Sequence, residues 1–187
     1  TNQKFSSNNK IELFNTSSEI TIKDFKNHIG FLASDDLKGR ASGTFGDEMA
    51  KDYIKKFFEN ASLPTKRTVE IQEHYVPAER KWNLKPEDMT VKTYNIIATL
   101  PGNDPILKDE YVVIGGHYDG GAATAAQLKK LSGDKIYNNA DDNASGTATV
   151  LELFEKYAST NSNKRTLVFI LFGGEELGLL GSKYYVE

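Results

Sequence analysis

Residues 165–178 read RTLVFILFGGEELG, an apolar run that ends in two glycines and two glutamates. The run is far shorter than the roughly 18 apolar residues that a membrane-spanning helix needs, and it has the length of a fully buried strand. Glycines after such a strand allow another part of the backbone to approach closely. The stretch therefore predicts a buried strand that brings Glu175 and Glu176 to the rim of the protein core.

Two further apolar runs predict strands of the same sheet, TYNIIATL at residues 93–100 and EYVVIGGH at 110–117. Residues 143–159, NASGTATVLELFEKYAS, carry apolar side chains along one helical face. Apolar strands with a helix between them are typical of a sheet that is covered on both faces. We therefore expect an α/β fold with a largely parallel, mixed central sheet and helices on both sides.

The first half of the chain predicts two helices before this sheet. Thr21 and Asp24 form a capping-box pattern ahead of apolar residues at helical spacing. From Asp47 to about Asn60, pairs of apolar residues recur every four positions. The polar residues 1–20 are predicted to form an N-terminal arm, and the other 167 residues (187 minus 20) have the size of a single domain.

Composition excludes several classes of function. The net charge of −3 and the lack of any basic cluster beyond a lysine pair argue against a nucleic-acid partner. No run is long enough for a membrane-spanning segment. With no cysteine, any metal must be held by His, Asp or Glu. The chain starts without Met, so we expect a processed N-terminus and a secreted or periplasmic protein.

Polar residues gather where the predicted strands end, which is where ligands bind in open α/β sheets. Three segments carry them: His117 and Asp119 after one strand, Asp141 and Asp142 at the start of the helix, and Glu175 and Glu176 after another strand. Each segment alone has an ordinary interpretation, as a loop histidine, a turn or helix cap, and an acidic first helical turn. Together they indicate one site, because converging carboxylates need a cation or strongly raised pKa values. Zinc accepts both imidazole nitrogen and carboxylate oxygen.

Four stretches of the sequence resemble the co-catalytic zinc aminopeptidases, a family of exopeptidases. They are LASDDLKGRASGTFGDEMAKDYI at 32–54, GGHYD at 115–119, ADDNASG at 140–146 and FGGEELGLLGSKYY at 172–185. The similarity covers most of residues 21–187 in the expected order. The resemblance implies that these residues are the N-terminal part of a single zinc-peptidase catalytic domain.

The resemblance also implies a role for each site residue. His117 would bind one zinc ion, Asp142 would bridge two ions, and Glu176 would bind the second. Asp119 would orient the His117 ring, and the peptide bond after Asp142 would be cis. Glu175 would act as the general base while a metal-bridged hydroxide attacks the peptide substrate and releases its N-terminal residue.

The family uses five metal ligands, of which three have counterparts here. An Asp and a distal His are expected beyond Glu187, so the resemblance implies a fragment that is inactive by itself. His28 and His74 match no ligand motif and are interpreted as surface or structural residues.

Two alternatives of the same fold remain open. One is an enzyme that resembles a single-zinc glutaminyl cyclase, although the intact GGHYD segment favours the two-metal form. The other is a metal-free, non-catalytic binding module, although such modules usually lack the ligands or the base.

Overall fold

The computed structural model describes residues 17–60, 62–77, 89–122 and 136–187. Most of the predicted N-terminal arm lies outside these residues. The helices are α1 (Ile22–Leu32), α2 (Phe45–Phe58), α3 (Ser145–Thr160) and α4 (Leu180–Val186). The strands are β1 (Thr68–Tyr75), β2 (Lys92–Leu100), β3 (Tyr111–His117) and β4 (Thr166–Phe172).

The four strands form one mixed sheet in the order β1-β2-β4-β3. Strand β2 pairs antiparallel with both β1 and β4, and β3 pairs parallel with β4. The predicted mixed α/β sheet is confirmed. Among the described strands only one of the three pairings is parallel, which is fewer than the apolar runs suggested. The parallel pair places His117 opposite Phe172, so β3 and β4 end at the same edge of the sheet.

Helices cover both faces of the sheet, as predicted. Alternate residues of β2 and β4 point to opposite faces, which is why successive residues at 96–98 and 167–172 are apolar. Helices α1, α2 and α3 pack on one face, over Ile96, Ala98, Phe169 and Leu171. On the other face, Tyr185 of α4 packs against a smaller cluster made by Ile97, Val168 and Ile170.

Helices α1 and α2 each begin directly after a threonine whose side chain caps the helix. Thr21 caps α1 and accepts a hydrogen bond from the main-chain N–H of Asp24, as the sequence predicts. Helix α2 begins at Phe45, two residues before the predicted start, because Thr44 is its cap and accepts from the N–H of Asp47. No helix among the described residues is long and apolar enough to span a membrane.

Asp47 is a buried carboxyl group that connects α2 to the loop after β3. Its oxygens accept hydrogen bonds from the Tyr118 hydroxyl at 2.5 Å and from the Gly43 N–H at 2.8 Å. Burial raises the pKa of Asp47 to about 7, although these two hydrogen bonds oppose the increase. Near neutral pH the fold therefore holds an acid that is only partly ionised.

We expect Asp47 to make the fold less stable as pH rises from about 4 to about 7. The folded state keeps the proton over this range, whereas the unfolded chain releases it near the ordinary pKa, so each pH unit lowers the free energy of unfolding by up to about 1.4 kcal/mol. Urea denaturation of the wild type and of Asp47→Asn at several pH values checks this. The stability difference between them should shrink as pH rises, and a constant difference would contradict the assignment.

Both remaining histidines are buried, so the surface alternative for them is wrong. His28 is 3% exposed and bonds to the Tyr53 hydroxyl at 2.7 Å and to Glu152 at 2.9 Å. His74 is 6% exposed and its ring stacks on that of Tyr184. His28 lies in α1, and His74 lies in β1, the edge strand on the other side of the sheet from β3.

Candidate functional site

The site begins where β4 ends. Gly174 has a φ of +78°, a left-handed conformation that glycine adopts at little cost, and it turns the chain out of the strand. The carbonyl oxygen of Glu175 then accepts the N–H groups of Gly178 and Leu179, at 2.8 and 2.9 Å. Glu175 and Glu176 therefore lie in a tight turn before α4, and their interpretation as a first helical turn is wrong.

His117, the last residue of β3, has two carboxylates near the Nε2 atom of its ring. Its Nε2 atom is 3.2 Å from Oδ1 of Asp142 and 4.0 Å from Oε2 of Glu175. Its Nδ1 atom is 3.2 Å from the main-chain oxygen of Asp119, and since that oxygen can only accept, Nδ1 donates. In the neutral ring, the lone pair of Nε2 then faces the two carboxylates.

This arrangement attracts a cation. Burial lowers the pKa of His117, but Asp119, Glu175 and Asp142 together outweigh burial, so the pKa lies above its ordinary value. A proton or a metal ion between Nε2 and the Asp142 oxygen relieves the repulsion between their lone pairs. One imidazole nitrogen beside carboxylate oxygens is a donor set that suits zinc.

Asp119 connects the two strand ends. It is fully buried, and its carboxylate accepts the main-chain N–H groups of Glu175 at 3.2 Å and Glu176 at 3.3 Å. Ser42 donates its hydroxyl to the same carboxylate at 2.5 Å. The ring of His117 is held mainly through the main-chain oxygen of Asp119, because the carboxylate of Asp119 is farther from Nδ1, at 3.5 Å.

The carboxylate of Glu176 lies beside Gly121. A β-carbon on that glycine would be 3.1 Å from Oε2, so any larger residue at this position would require the Glu176 side chain to shift by a few tenths of an ångström. Burial raises the pKa of Glu176, and the negative charges of Asp142, Asp119 and Glu175 add to the increase. Within residues 17–60, 62–77, 89–122 and 136–187, no group of three or more His, Asp or Glu side chains is arranged to hold a metal ion.

Asp142 lies in an irregular turn, Ala140–Ala144, that opens α3. The peptide bond between Asp142 and Asn143 is cis, as the resemblance implied. The side chain of Asn143 accepts the N–H of Gly146 at 2.9 Å. The structure thus brings His117, Asp142 and Glu175 together and places Glu176 in the same turn as Glu175.

Three residues that support the site were missed at the level of sequence: Arg40, Ser42 and Asn139. All three are buried and polar, and each bonds to a loop that carries a predicted site residue. For Arg40 and Ser42 the only available signal was the resemblance of residues 32–54, which assigned no role to any single residue there. Asn139 lies directly before the segment 140–146, and the resemblance gave it no role either.

Residues 95–187, the C-terminal half of the chain, match the sequence model described as Peptidase family M28. The matched residues include helix α3, the turn that holds Glu175 and Glu176, and the site residues His117, Asp119 and Asp142.

Three curated relatives have names that refer to peptide chemistry. A probable zinc metalloprotease of Pyricularia oryzae is 29% identical, over 85% of this chain and 30% of the relative. Leupeptin-inactivating enzyme 1 of Streptomyces exfoliatus is 32% identical, over 92% of this chain and 33% of the relative. A probable leucine aminopeptidase of Arthroderma otae is 35% identical, over 49% and 23%. The chain thus spans a third or less of the length of these relatives.

Solved structures share the fold. Glutaminyl cyclase of Fimbriiglobus ruber superimposes with a TM-score of 0.65 at 23% identity, covering 93% of this chain and 55% of that one. The aminopeptidase of Aneurinibacillus sp. strain AM-1 gives 0.59 at 16% identity, covering 91% and 66%. The sequence match, the three relatives and the shared zinc-exopeptidase-like fold agree in assigning residues 95–187 to peptidase family M28.

Proposed function

We propose that the protein is a zinc-dependent aminopeptidase that removes N-terminal residues from peptides. The observation that carries this proposal is the position of His117, whose Nε2 atom faces Asp142 and Glu175 where β3 and β4 end. The names of the curated relatives, a zinc metalloprotease and a leucine aminopeptidase, support the same chemistry.

In this proposal His117, Asp142 and Glu176 hold zinc. Asp142 has two carboxylate oxygens, so it can be shared between two ions. Glu176 already lies within the electrostatic reach of Asp142 and His117, and we propose that its side chain completes the site. Bound zinc would supply a Lewis acid that polarises the scissile carbonyl and lowers the pKa of a water molecule.

Glu175 is the proposed general base. Its side chain is 38% exposed, so its carboxylate can reach both solvent and a substrate beside His117. It accepts a proton from the attacking water while the oxygen bonds to the carbonyl carbon. The C–N bond then breaks, and Glu175 returns the proton to the leaving amine, so that protons and bonds balance over the cycle.

A glutaminyl cyclase is the second candidate, and the superposition on the Fimbriiglobus ruber enzyme supports it. In that reaction the substrate's own α-amine attacks its glutamine side-chain amide and ammonia leaves. No water is added, so Glu175 would shuttle a proton between the two nitrogens.

One assay separates these functions. The protein, expressed from its complete reading frame and loaded with zinc, is given leucine p-nitroanilide and, separately, a peptide with N-terminal glutamine. We expect zinc-dependent release of p-nitroaniline. Loss of ammonia from the glutaminyl peptide without p-nitroaniline release would favour the cyclase. Neither activity, together with no zinc uptake, would favour a non-catalytic binding module and reject the proposal.

A further inference from the structure

Arg40 is a charged residue whose side chain is completely buried, at 0% exposure. Burying a charge is unfavourable unless hydrogen bonds replace its hydration. Among the described residues, the guanidinium meets this need with four main-chain carbonyl oxygens. It donates to Leu32, and to Tyr118, Asn138 and Asn139 at 3.0, 2.9 and 2.8 Å.

Three of these four carbonyl groups belong to loops that carry the candidate site. Tyr118 is the residue between His117 and Asp119, so a hydrogen bond to its carbonyl group acts directly next to both site residues. Asn138 and Asn139 lead directly into the turn Ala140–Ala144, which holds Asp142. Arg40 therefore bonds at once to the loop after β3 and to the segment before α3.

Further contacts hold the same loops together. The side chain of Asn139 donates to the carbonyl oxygens of Gly39 at 3.2 Å and Gly121 at 3.0 Å. The N–H of Gly120 donates to the carbonyl oxygen of Arg40 at 3.2 Å. A β-carbon on Gly120 would be 2.4 Å from the Gly39 oxygen, so these backbones approach as closely as glycine permits.

The backbone around Arg40 adopts an unfavourable conformation. Lys38, Gly39 and Arg40 have φ values of +47°, +83° and +57°, so three successive residues are left-handed. Residues other than glycine rarely adopt this region, and they keep it only where surrounding contacts hold them there. The contacts in this case are the carbonyl hydrogen bonds of the guanidinium together with main-chain hydrogen bonds, in which the Arg40 N–H donates to Leu37 and the Arg40 carbonyl oxygen accepts from Gly120.

We propose that Arg40 is a positioning residue for the metal site, which fixes the loop after His117 against the segment that leads to Asp142. Its consequence for zinc rests on the proposed function, whereas the positioning itself is a property of the chain and can be measured without metal. Lysine at this position keeps the charge but has a single nitrogen, so it cannot bond to four carbonyl groups that surround a planar guanidinium.

Arg67 provides a matched control. It also donates to four main-chain carbonyl oxygens, and none of them belongs to the candidate site. They are those of Phe58, Asn60, Leu63 and Thr65. Arg67→Lys therefore removes the same kind of contact between α2 and the chain that follows it.

The test compares Arg40→Lys and Arg67→Lys by hydrogen–deuterium exchange without metal and by zinc affinity in competition with a chromogenic chelator. For Arg40→Lys we expect exchange to accelerate about tenfold or more in residues 117–121 and 138–144. We also expect its zinc dissociation constant to rise about 10- to 100-fold. Arg67→Lys should accelerate exchange only around residues 58–67 and bind zinc as the wild type does.

Three results would overturn the proposal. They are unchanged exchange of both site segments in Arg40→Lys, uniform acceleration over the whole molecule, and zinc affinities that fall equally in both variants. If Arg40→Lys does not fold, Arg40→Gln, which keeps a planar donor group, replaces it in the same comparison. If the wild type takes up no zinc, the proposed function fails, and the exchange result still decides the role of Arg40.

Discussion

Glu175→Gln is expected to lower the turnover of an aminoacyl substrate by about 10²- to 10⁴-fold, the usual contribution of a positioned general base. Glutamine keeps the size of the side chain but cannot accept the proton of the attacking water. The main-chain groups of residue 175 bond to Asp119, Gly178 and Leu179, and the substitution leaves all of these contacts in place. Metal content should therefore stay at the wild-type level.

Glu176→Gln is the control, because the proposal gives the neighbouring glutamate a different role. This variant should lose zinc, and its activity should fall with the metal content. The measurements are steady-state kinetics with leucine p-nitroanilide and zinc analysis of the dialysed proteins. Equal loss of metal in both variants would show that the division of roles between the two glutamates is wrong. Wild-type turnover in Glu175→Gln would place the base elsewhere.

Asp142→Asn is expected to raise the zinc dissociation constant by about 100-fold or more, since even changes outside the ligand shell cost about 10- to 100-fold. The substitution neutralises the carboxylate whose Oδ1 atom is 3.2 Å from Nε2 of His117. The side chain is 71% exposed, so the fold should keep its stability while the site loses affinity. Titration calorimetry with zinc, together with thermal unfolding without metal, measures both quantities.

Asp141→Asn is the matched control for this prediction. Asp141 is the adjacent carboxylate and is also exposed, and the Ser145 hydroxyl donates to its main-chain oxygen, a contact that the substitution preserves. We expect this variant to bind zinc as the wild type does. Equal loss of affinity in the two variants would mean that net negative charge, and not the position of Asp142, attracts the metal.

The buried core strand β4 and the start of α1 could be predicted from local signals. The apolar run of β4 is buried at six of its seven positions, and Thr21 caps α1 as its spacing from Asp24 indicated. The pairing of the strands was less accessible. A strand that is buried on both faces has the same sequence pattern whether its neighbours are parallel or antiparallel. The sequence of β2 therefore could not indicate that both of its partners are antiparallel.

The position of the candidate site could be predicted because side chains that follow parallel strands meet at one edge. Its internal contacts could not be. Arg40 lies among glycines and serines and resembles a solvated loop residue, yet it bonds to carbonyl groups 78 and 99 positions away. Likewise, the carboxylate of Asp119 bonds mainly to the turn after β4, whereas the resemblance implied a contact only with its neighbour His117.

The parallel register of β3 and β4 has a consequence for how such a chain can change in length. His117 and Glu175 meet because Phe172 is paired with His117 and only two residues, Gly173 and Gly174, separate Phe172 from Glu175. Deleting one residue inside β4 would shift its side chains by about 3.3 Å and turn each of them to the opposite face of the sheet. We therefore expect natural insertions and deletions to avoid the interiors of these two strands and to accumulate in the connections between them.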